Sequence, residues 1–508
     1  MKKYILIAIV ALVSMLELFA DDKKIETKII TYPAPESEKV VDCSYTVSVN
    51  GKKLDIYKAL SPRFEGGEFY FCYFDFEGQV NVNVHSRKPF TKQIGYTETP
   101  EAQAAAAKNY VGEIYPYSLK MTKRERNEMA FVADKPFQAI VFRDNRKLPL
   151  IIFGNPLEKD IPSKDDPNVI YYGPGVHYKT WTNLKDNQTL YLAGGAVLKT
   201  VLQGRGKNIT VRGRGIISTD NRERWTAPCV SFSSCENLKL EGVIIKDPIS
   251  WTLAIFNSNK VVMDNIKICA GRMINDDAID ICNTSNVRIV NSFARAEDDI
   301  IAVKGIYGSG KALGMKKTED LYHRDNNLPC ENIYIENCVF WTDCANVFRI
   351  GYECYAPHFK NLKAKNLYIA AYSPVSSIED YWVRAIFLLQ PTGGMPITNM
   401  HFENINIRCD GTDHNLIFAE PRIVNYGHVR LKGDKGEFGC VSNCSFKNIR
   451  VVGKNKGKWK GLIYATGKDE NHKVQNISIK NVKFFGEKIT KDSPNVNIGA
   501  YTSRITIE

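Results

Sequence analysis

From about residue 200 onward the apolar positions fall into one recurring phrase: Asn, apolar, any residue, apolar. It starts at Asn208, Asn237, Asn286, Asn332, Asn361, Asn399, Asn443 and Asn476, and Lys260-Val261-Val262-Met263 fills the same slot without the Asn. Counting Lys260, the steps are 29, 23, 26, 46, 29, 38, 44 and 33 residues. Each phrase alternates as a strand with one buried face, and many are followed by a second short run such as Val243-Ile244-Ile245 or Ile405-Asn406-Ile407. A unit of about 23 residues with several short strands and no helical period predicts one coil of a right-handed parallel β-helix. The Asn suits a turn entry because it tolerates left-handed backbone. Longer steps are coils with loops, the largest spanning 305–329.

Residues 21–155 lack the phrase. Tyr45-Thr46-Val47-Ser48-Val49, the run Glu68 to Phe74 and Val80-Asn81-Val82-Asn83-Val84 read as alternating strands, with turns at Asn50-Gly51 and Glu65-Gly66-Gly67. Short strands at close spacing predict a small β-sandwich. Residues 156–169 read as a linker, and 170–508 as the solenoid. The fold expected is therefore all-β.

At the N-terminus Lys2 and Lys3 precede the apolar stretch Ile5 to Phe19, and Asp21-Asp22 follow Ala20. This has the form of a signal peptide over 1–20, too short and too interrupted for a membrane span. The expected protein is exported, periplasmic or extracellular, and monomeric. Export gives the 13 cysteines interest, but their number is odd, they form no paired C-x-x-C, and Cys269, Cys338 and Cys444 sit in strand-like runs. Buried free thiols are the expectation. The net charge of +12 is spread along the chain, which suits an acidic polymer better than a specific nucleic-acid groove, or is simply a solvated basic surface.

Two acidic clusters lie one coil apart: Asn275-Asp276-Asp277-Ala278-Ile279-Asp280 and Glu297-Asp298-Asp299-Ile300-Ile301-Ala302-Val303-Lys304. In a parallel solenoid, positions one coil apart stack at ~4.8 Å, so these carboxylates meet on one face. Stacked like charges are unfavourable and need a reason. Glycoside hydrolysis supplies one: it needs a protonated carboxyl to protonate the leaving oxygen and an ionised one to activate water, and crowding separates their pKa values. Solvated acidic turns or a calcium site are the alternatives. Asp276 and Asp280 serve as controls, since regular alternation turns Asp276 away from Asp277.

The two clusters resemble the Asn-Thr-Asp-Gly-Ile-Asp and Gln-Asp-Asp-Cys-Val-Ala-Ile-Lys motifs of glycoside hydrolase family 28, the polygalacturonases. They are similar also to those of the related dextranase and isopullulanase family 49. Asp247-Pro248-Ile249-Ser250-Trp251 is similar to the Ser-Pro-x-Trp of family 28. The resemblance covers about residues 170–480 and implies a pectin-lyase-like β-helix with Asp298 as general acid and Asp277 with Asp299 activating water, hence inversion. Asn346 stands where family 28 has the His of Gly-His-Gly, and Arg384-Ala385-Ile386 is the nearest run to its uronate-binding Arg-Ile-Lys. These departures point to neutral or modified glycans over plain polygalacturonate. Trp251, Asn275, Lys304, Asn346, Arg349, Tyr352 and Glu353 are candidate substrate contacts; His323 and Arg324 lie in the inserted loop. The partner expected is a polysaccharide or oligosaccharide, with no metal, no cofactor and no nucleic acid. A polysaccharide lyase on the same scaffold and a non-catalytic glycan-binding solenoid are the rival readings, because fold alone does not separate them.

Overall fold

The computed structural model describes residues 26–62, 67–87, 112–142, 149–224, 227–306, 328–354, 356–371, 383–410, 415–422, 437–455 and 461–508. The proposed signal segment and the body of the 305–329 loop, with His323 and Arg324, lie outside the described residues. Among those described, no element is a helix, so none is long and apolar enough to cross a membrane.

Among the described residues, the strands from Val169–Tyr172 to Thr502–Ile507 form one 27-stranded sheet wound into the coils of a parallel β-helix, in which strands pair with their counterparts in the next coil. One column of inward residues runs Leu253, Ile279, Ile301, Phe348, Phe387 and Ile417, and a second runs Leu238, Val261, Val287, Ile333 and Leu362. All lie in a single apolar core. The recurring Asn is the corner of each coil: Asn208, Asn237, Asn286, Asn332, Asn361, Asn399, Asn443 and Asn476 all have φ between 55° and 62°. Lys260, in the slot without Asn, adopts the same left-handed turn with φ 56°. The amides stack from coil to coil, Asn332 donating to Asn286 at 3.0 Å and Asn361 to Asn332 at 3.0 Å. A second corner follows five residues later, at Gly242, Asn265, Asn291, Asn337, Asn366, Asn404, Asn448 and Asn481, again left-handed.

The N-terminal strands form two sheets. Lys28–Thr31, Tyr57–Leu60, Glu68–Glu77, Glu113–Tyr115, Phe137–Phe142 and Leu150–Pro156 make one; Tyr45–Val49, Lys52–Lys53, Val80–Ser86, Lys120–Arg124 and Glu128–Ala133 make the other. They share a core of Phe74, Phe76, Leu150 and Ile152 with Val47, Val82 and Phe131. The run Glu68–Glu77 does not alternate with solvent: Phe69 through Phe76 are all buried. One face meets the second sheet, while Phe69, Phe71 and Phe153 on the other pack with Ile216, Ile244, Cys269, Phe293 and Val339 of the solenoid. Burial on both faces explains the unbroken apolar run. Buried pairs also cross this contact, Arg214 to Asp75 at 2.8 Å and Arg408 to Glu113 at 2.9 Å. All 13 cysteines are free thiols, and most are buried.

Candidate active site

The strand Ile279–Cys282 pairs with Leu253–Phe256 on one side and Ile301–Gly305 on the other, and Phe348–Cys354 follows. With Leu253, Ile279, Ile301 and Phe348 in the core, alternation turns Ala254, Asp280, Ala302 and Arg349 to the outer face. Both acidic clusters occupy bends just before these strands. Backbone bonds carry the register through the bends: Thr252 N donates to Asp277 O at 2.8 Å, Ala278 N to Asp299 O at 2.8 Å and Ile300 N to Asn346 O at 3.0 Å. Trp251, Asp277, Asp299 and Asn346 therefore share one column at the inter-strand spacing of ~4.8 Å.

Two cations serve this acidic patch. Lys304 Nζ lies 2.6 Å from both Asp277 Oδ2 and Asp280 Oδ1, and 3.8 Å from the centre of the Trp251 ring. Arg349 bridges Asp299 at 3.3 Å and Glu353 at 2.8 Å. Asp299 Oδ1 also accepts from Asn346 N at 3.0 Å and Asn346 Nδ2 at 2.8 Å. The other end of that amide accepts from Ala385 N at 2.8 Å, which fixes its orientation. Lys304 and Arg349 are thus buried and committed to carboxylates of the chain.

Asp298 is held differently. Asp277 and Asp299 are 2% and 3% exposed, whereas Asp298 is half-buried and the most open of the three. Its backbone is fixed at both groups: its N–H donates to Asp276 Oδ1 at 3.1 Å, and its carbonyl accepts from Thr342 Oγ1 at 3.0 Å. Asp276 Oδ1 also takes the N–H of Glu297 at 2.8 Å. Asp276 is therefore not turned idly to solvent; the bend breaks the alternation, and its carboxyl caps the next coil.

The crowding shows in proton affinities. Burial, then the charges of Asp277 and Asp299, hold the Asp298 carboxyl well above the usual carboxylate range. Burial also raises Asp299, with Arg349 opposing, and raises Asp280 strongly against the pull of Lys304. Burial acts against the Lys304 charge, but Asp277 and Asp280 outweigh it and the ammonium is raised. Burial and the Glu297 charge push Asp276 up to about 8. Such an arrangement can keep one carboxyl protonated beside ion-paired neighbours, the requirement of acid–base chemistry at a glycosidic bond.

Of the other candidates, Trp251 and Glu353 are buried and Asn275 is half-buried in the bend beside Asp276. The Tyr352 side chain lies outside the described residues. Sequence reasoning kept Asp280 only as a control and Glu297 only as part of the second acidic cluster, and it passed over Arg295 and Asp343, buried with Glu297 behind the bend; outward alternation in Ile279–Cys282 is the signal for Asp280. A depression of about 320 Å³ adjoins Glu297, lined by Pro62, Arg224, Gly271, Arg272, Met273 and Ile274. Among the described residues, no group of three or more His, Cys, Asp or Glu side chains is arranged to hold a metal ion.

The fold places the chain among parallel β-helix proteins of the pectin-lyase-like kind. Its sequence matches the family described as glycosyl hydrolases family 28 over residues 176–317, the segment that carries both acidic clusters. No curated protein matches the chain. Among solved structures it is similar to Dex49A from Penicillium minioluteum, with 13% identity, 94% of this chain and 96% of that chain covered, and a TM-score of 0.56. The family 28 exopolygalacturonase of Yersinia enterocolitica is similar at 13% identity, with 94% and 96% covered and a TM-score of 0.49.

Proposed function

We propose that the protein is an exported, monomeric glycoside hydrolase that cleaves O-glycosidic bonds of a polysaccharide with inversion. In this reading residues 1–20 direct export, 21–155 form a β-sandwich unit, and the right-handed β-helix from about 170 carries the chemistry. Asp298 is the general acid: it is the most exposed of the three aspartates and has the raised proton affinity that a proton donor at neutral pH needs. Asp277 and Asp299 hold and deprotonate the attacking water, each oriented by a cation, Lys304 or Arg349. Inversion follows from a water standing between acid and base. The observation that carries the reading is the convergence of Asp277, Asp298 and Asp299 on adjacent coils, within the segment matching the family 28 profile.

The substrate at the cleavage point is a neutral or modified sugar. A buried uronate needs a cation of its own, and Lys304 and Arg349 already serve four carboxylates of the chain. Purified protein screened on dextran, pullulan, rhamnogalacturonan, sulfated polysaccharides and polygalacturonate tests this. Hydrolysis of a neutral or modified glycan is expected. Exclusive hydrolysis of unmodified polygalacturonate refutes the substrate class, and unsaturated uronide products would make the enzyme a lyase.

A further inference from the structure

The strand Tyr57–Leu60 belongs to the N-terminal sheets, yet its end is gripped by the solenoid. Leu60 N donates to Asp247 Oδ1 at 2.6 Å. The next residue, Ser61, is fully buried and places its hydroxyl behind the bend that carries Asp298. Ser61 Oγ donates to Glu297 Oε1 at 3.0 Å and accepts from Arg295 Nη2 at 3.2 Å. Arg295, with no exposed side chain, also binds Glu297 at 2.6 Å and Asp343, while Trp341 Nε1 donates to Asp343 at 3.0 Å. The rings of Phe69 and Trp341 flank the guanidinium at 5.1 and 5.6 Å. There is no slack in this cluster. A Cβ on Gly271 would stand 1.7 Å from Arg295 Nη1 and 3.0 Å from Ser61 Cβ.

Glu297 precedes Asp298 in the chain, and the N–H groups of both donate to Asp276 Oδ1. Its side chain is fixed from behind by Ser61 and Arg295, and its backbone from the side by Asp276. Low local dielectric strengthens the bonds of such a buried network, so withdrawing one member loosens those that remain. The N-terminal sheets supply one member.

We propose that Ser61 is a positioning residue for Asp298, so that the docked N-terminal sheets complete the catalytic coil. Its catalytic meaning rests on the glycosidase reading above; its geometric content does not. The charges that act on Asp298 itself are those of Asp277, Asp299, Cys344 and Arg349.

The test is Ser61→Ala, which removes the hydroxyl without adding volume, beside Tyr115→Phe as the control. Tyr115 donates to Ile369 O at 3.1 Å and Asn406 O at 2.8 Å, in the same inter-sheet contact but away from the acidic bends. Hydrogen exchange by mass spectrometry reads the amides of 296–300 whether or not a substrate is known. In Ser61→Ala, exchange at Glu297 and Asp298 should rise selectively. Turnover should fall on the order of ten- to a hundredfold with KM unchanged, as a small misplacement of a reacting group predicts. The alkaline limb of the kcat profile should move to lower pH, because a better hydrated Asp298 loses the effect of burial. Tyr115→Phe should change none of these.

Wild-type exchange at those amides in Ser61→Ala overturns the proposal. So does exchange that rises evenly along the whole contact with an unmoved pH profile, which marks loosened docking only. If exchange rises selectively while Asp298→Asn keeps full turnover, the positioning stands and the glycosidase reading fails.

Discussion

Removing the charge of Lys304 should expose how much one buried cation contributes to holding Asp277 and Asp280 together. The ammonium sits 2.6 Å from Asp277 and from Asp280, and the three side chains are only 1%, 3% and 0% exposed, so solvent screening offers little relief. Lys304→Met keeps an unbranched side chain of similar length but removes the ammonium from the Trp251 ring and leaves two buried carboxylates without their cation. Breaking a buried pair by removing one partner costs about 3–5 kcal/mol. The protein can recover part of that by binding protons, since Asp280 is already raised well above the usual range by burial. The sign follows from linkage. A carboxyl whose folded pKa lies above its unfolded value contributes stability that is fully present below the unfolded pKa, ~4, and lost as pH rises through the folded one. The Lys304→Met deficit should therefore be small near that lower bound and reach its full size in mildly alkaline solution. Urea unfolding at a series of pH values measures it, with an unchanged m-value showing that the same surface unfolds. Turnover should fall by ~10² to 10⁴, because the water-activating Asp277 loses the cation that orients it. A deficit under about 0.5 kcal/mol, the level of an ordinary surface substitution, with no pH dependence, would refute this electrostatic reasoning.

Asp299→Asn should lower turnover and move the alkaline limb of the pH–rate profile to lower pH, because the Asp299 charge is one of those raising Asp298; a limb that moves upward or stays fixed contradicts the pairing. Asp276→Asn should be mild at neutral pH, since a group titrating at about 8 is already neutral there and the amide oxygen can still accept from Glu297 and Asp298. Asp276→Ala, by contrast, strands the buried N–H of Glu297, at about 1–3 kcal/mol, and the part-buried N–H of Asp298, read as a lowered unfolding midpoint. Through Asp276 the wild type loses stability between pH ~4 and about 8, and Asp276→Asn should lack that part of the slope. In denaturant without reductant, 13 thiols should react with a thiol reagent; a smaller number would mean disulfides.

The coil repeat was legible because its cause is local. A left-handed corner selects Asn, so the corners at Asn286 and Asn332 can be read directly from the chain. The second corner was available by the same logic and carries the same phrase, as in Asn366-Leu367-Tyr368-Ile369 and Asn404-Ile405-Asn406-Ile407; sequence reasoning noticed such runs only as a second short strand and passed over the corner that opens them. The run Glu68 to Phe74 reads as alternating because sequence carries no sign of what covers the second face of the strand; the solenoid covers it, against Phe69, Phe71 and Phe153. At the site, the order and spacing of the acidic clusters sufficed to bring the two clusters onto one face, while which carboxylates share a column, Asp277 with Asp299, is set by the backbone register through the bends. The setting of Lys304 and Arg349 was not legible: as single cations near a cleft they read as sugar contacts, and only the fold buries them against Asp280 and Glu353. Ser61 gave no signal, because its partners are more than 230 positions away in the chain.

The role of Asp298 is tested most directly by the turnover of Asp298→Asn on whichever glycan the wild type hydrolyses. The substitution keeps the shape of the bend, held by Asp276 and Thr342 through the backbone, and removes only the transferable proton. A fall of ~10² to 10⁴ in kcat with substrate binding retained is the predicted result, and near-normal turnover would contradict the assignment.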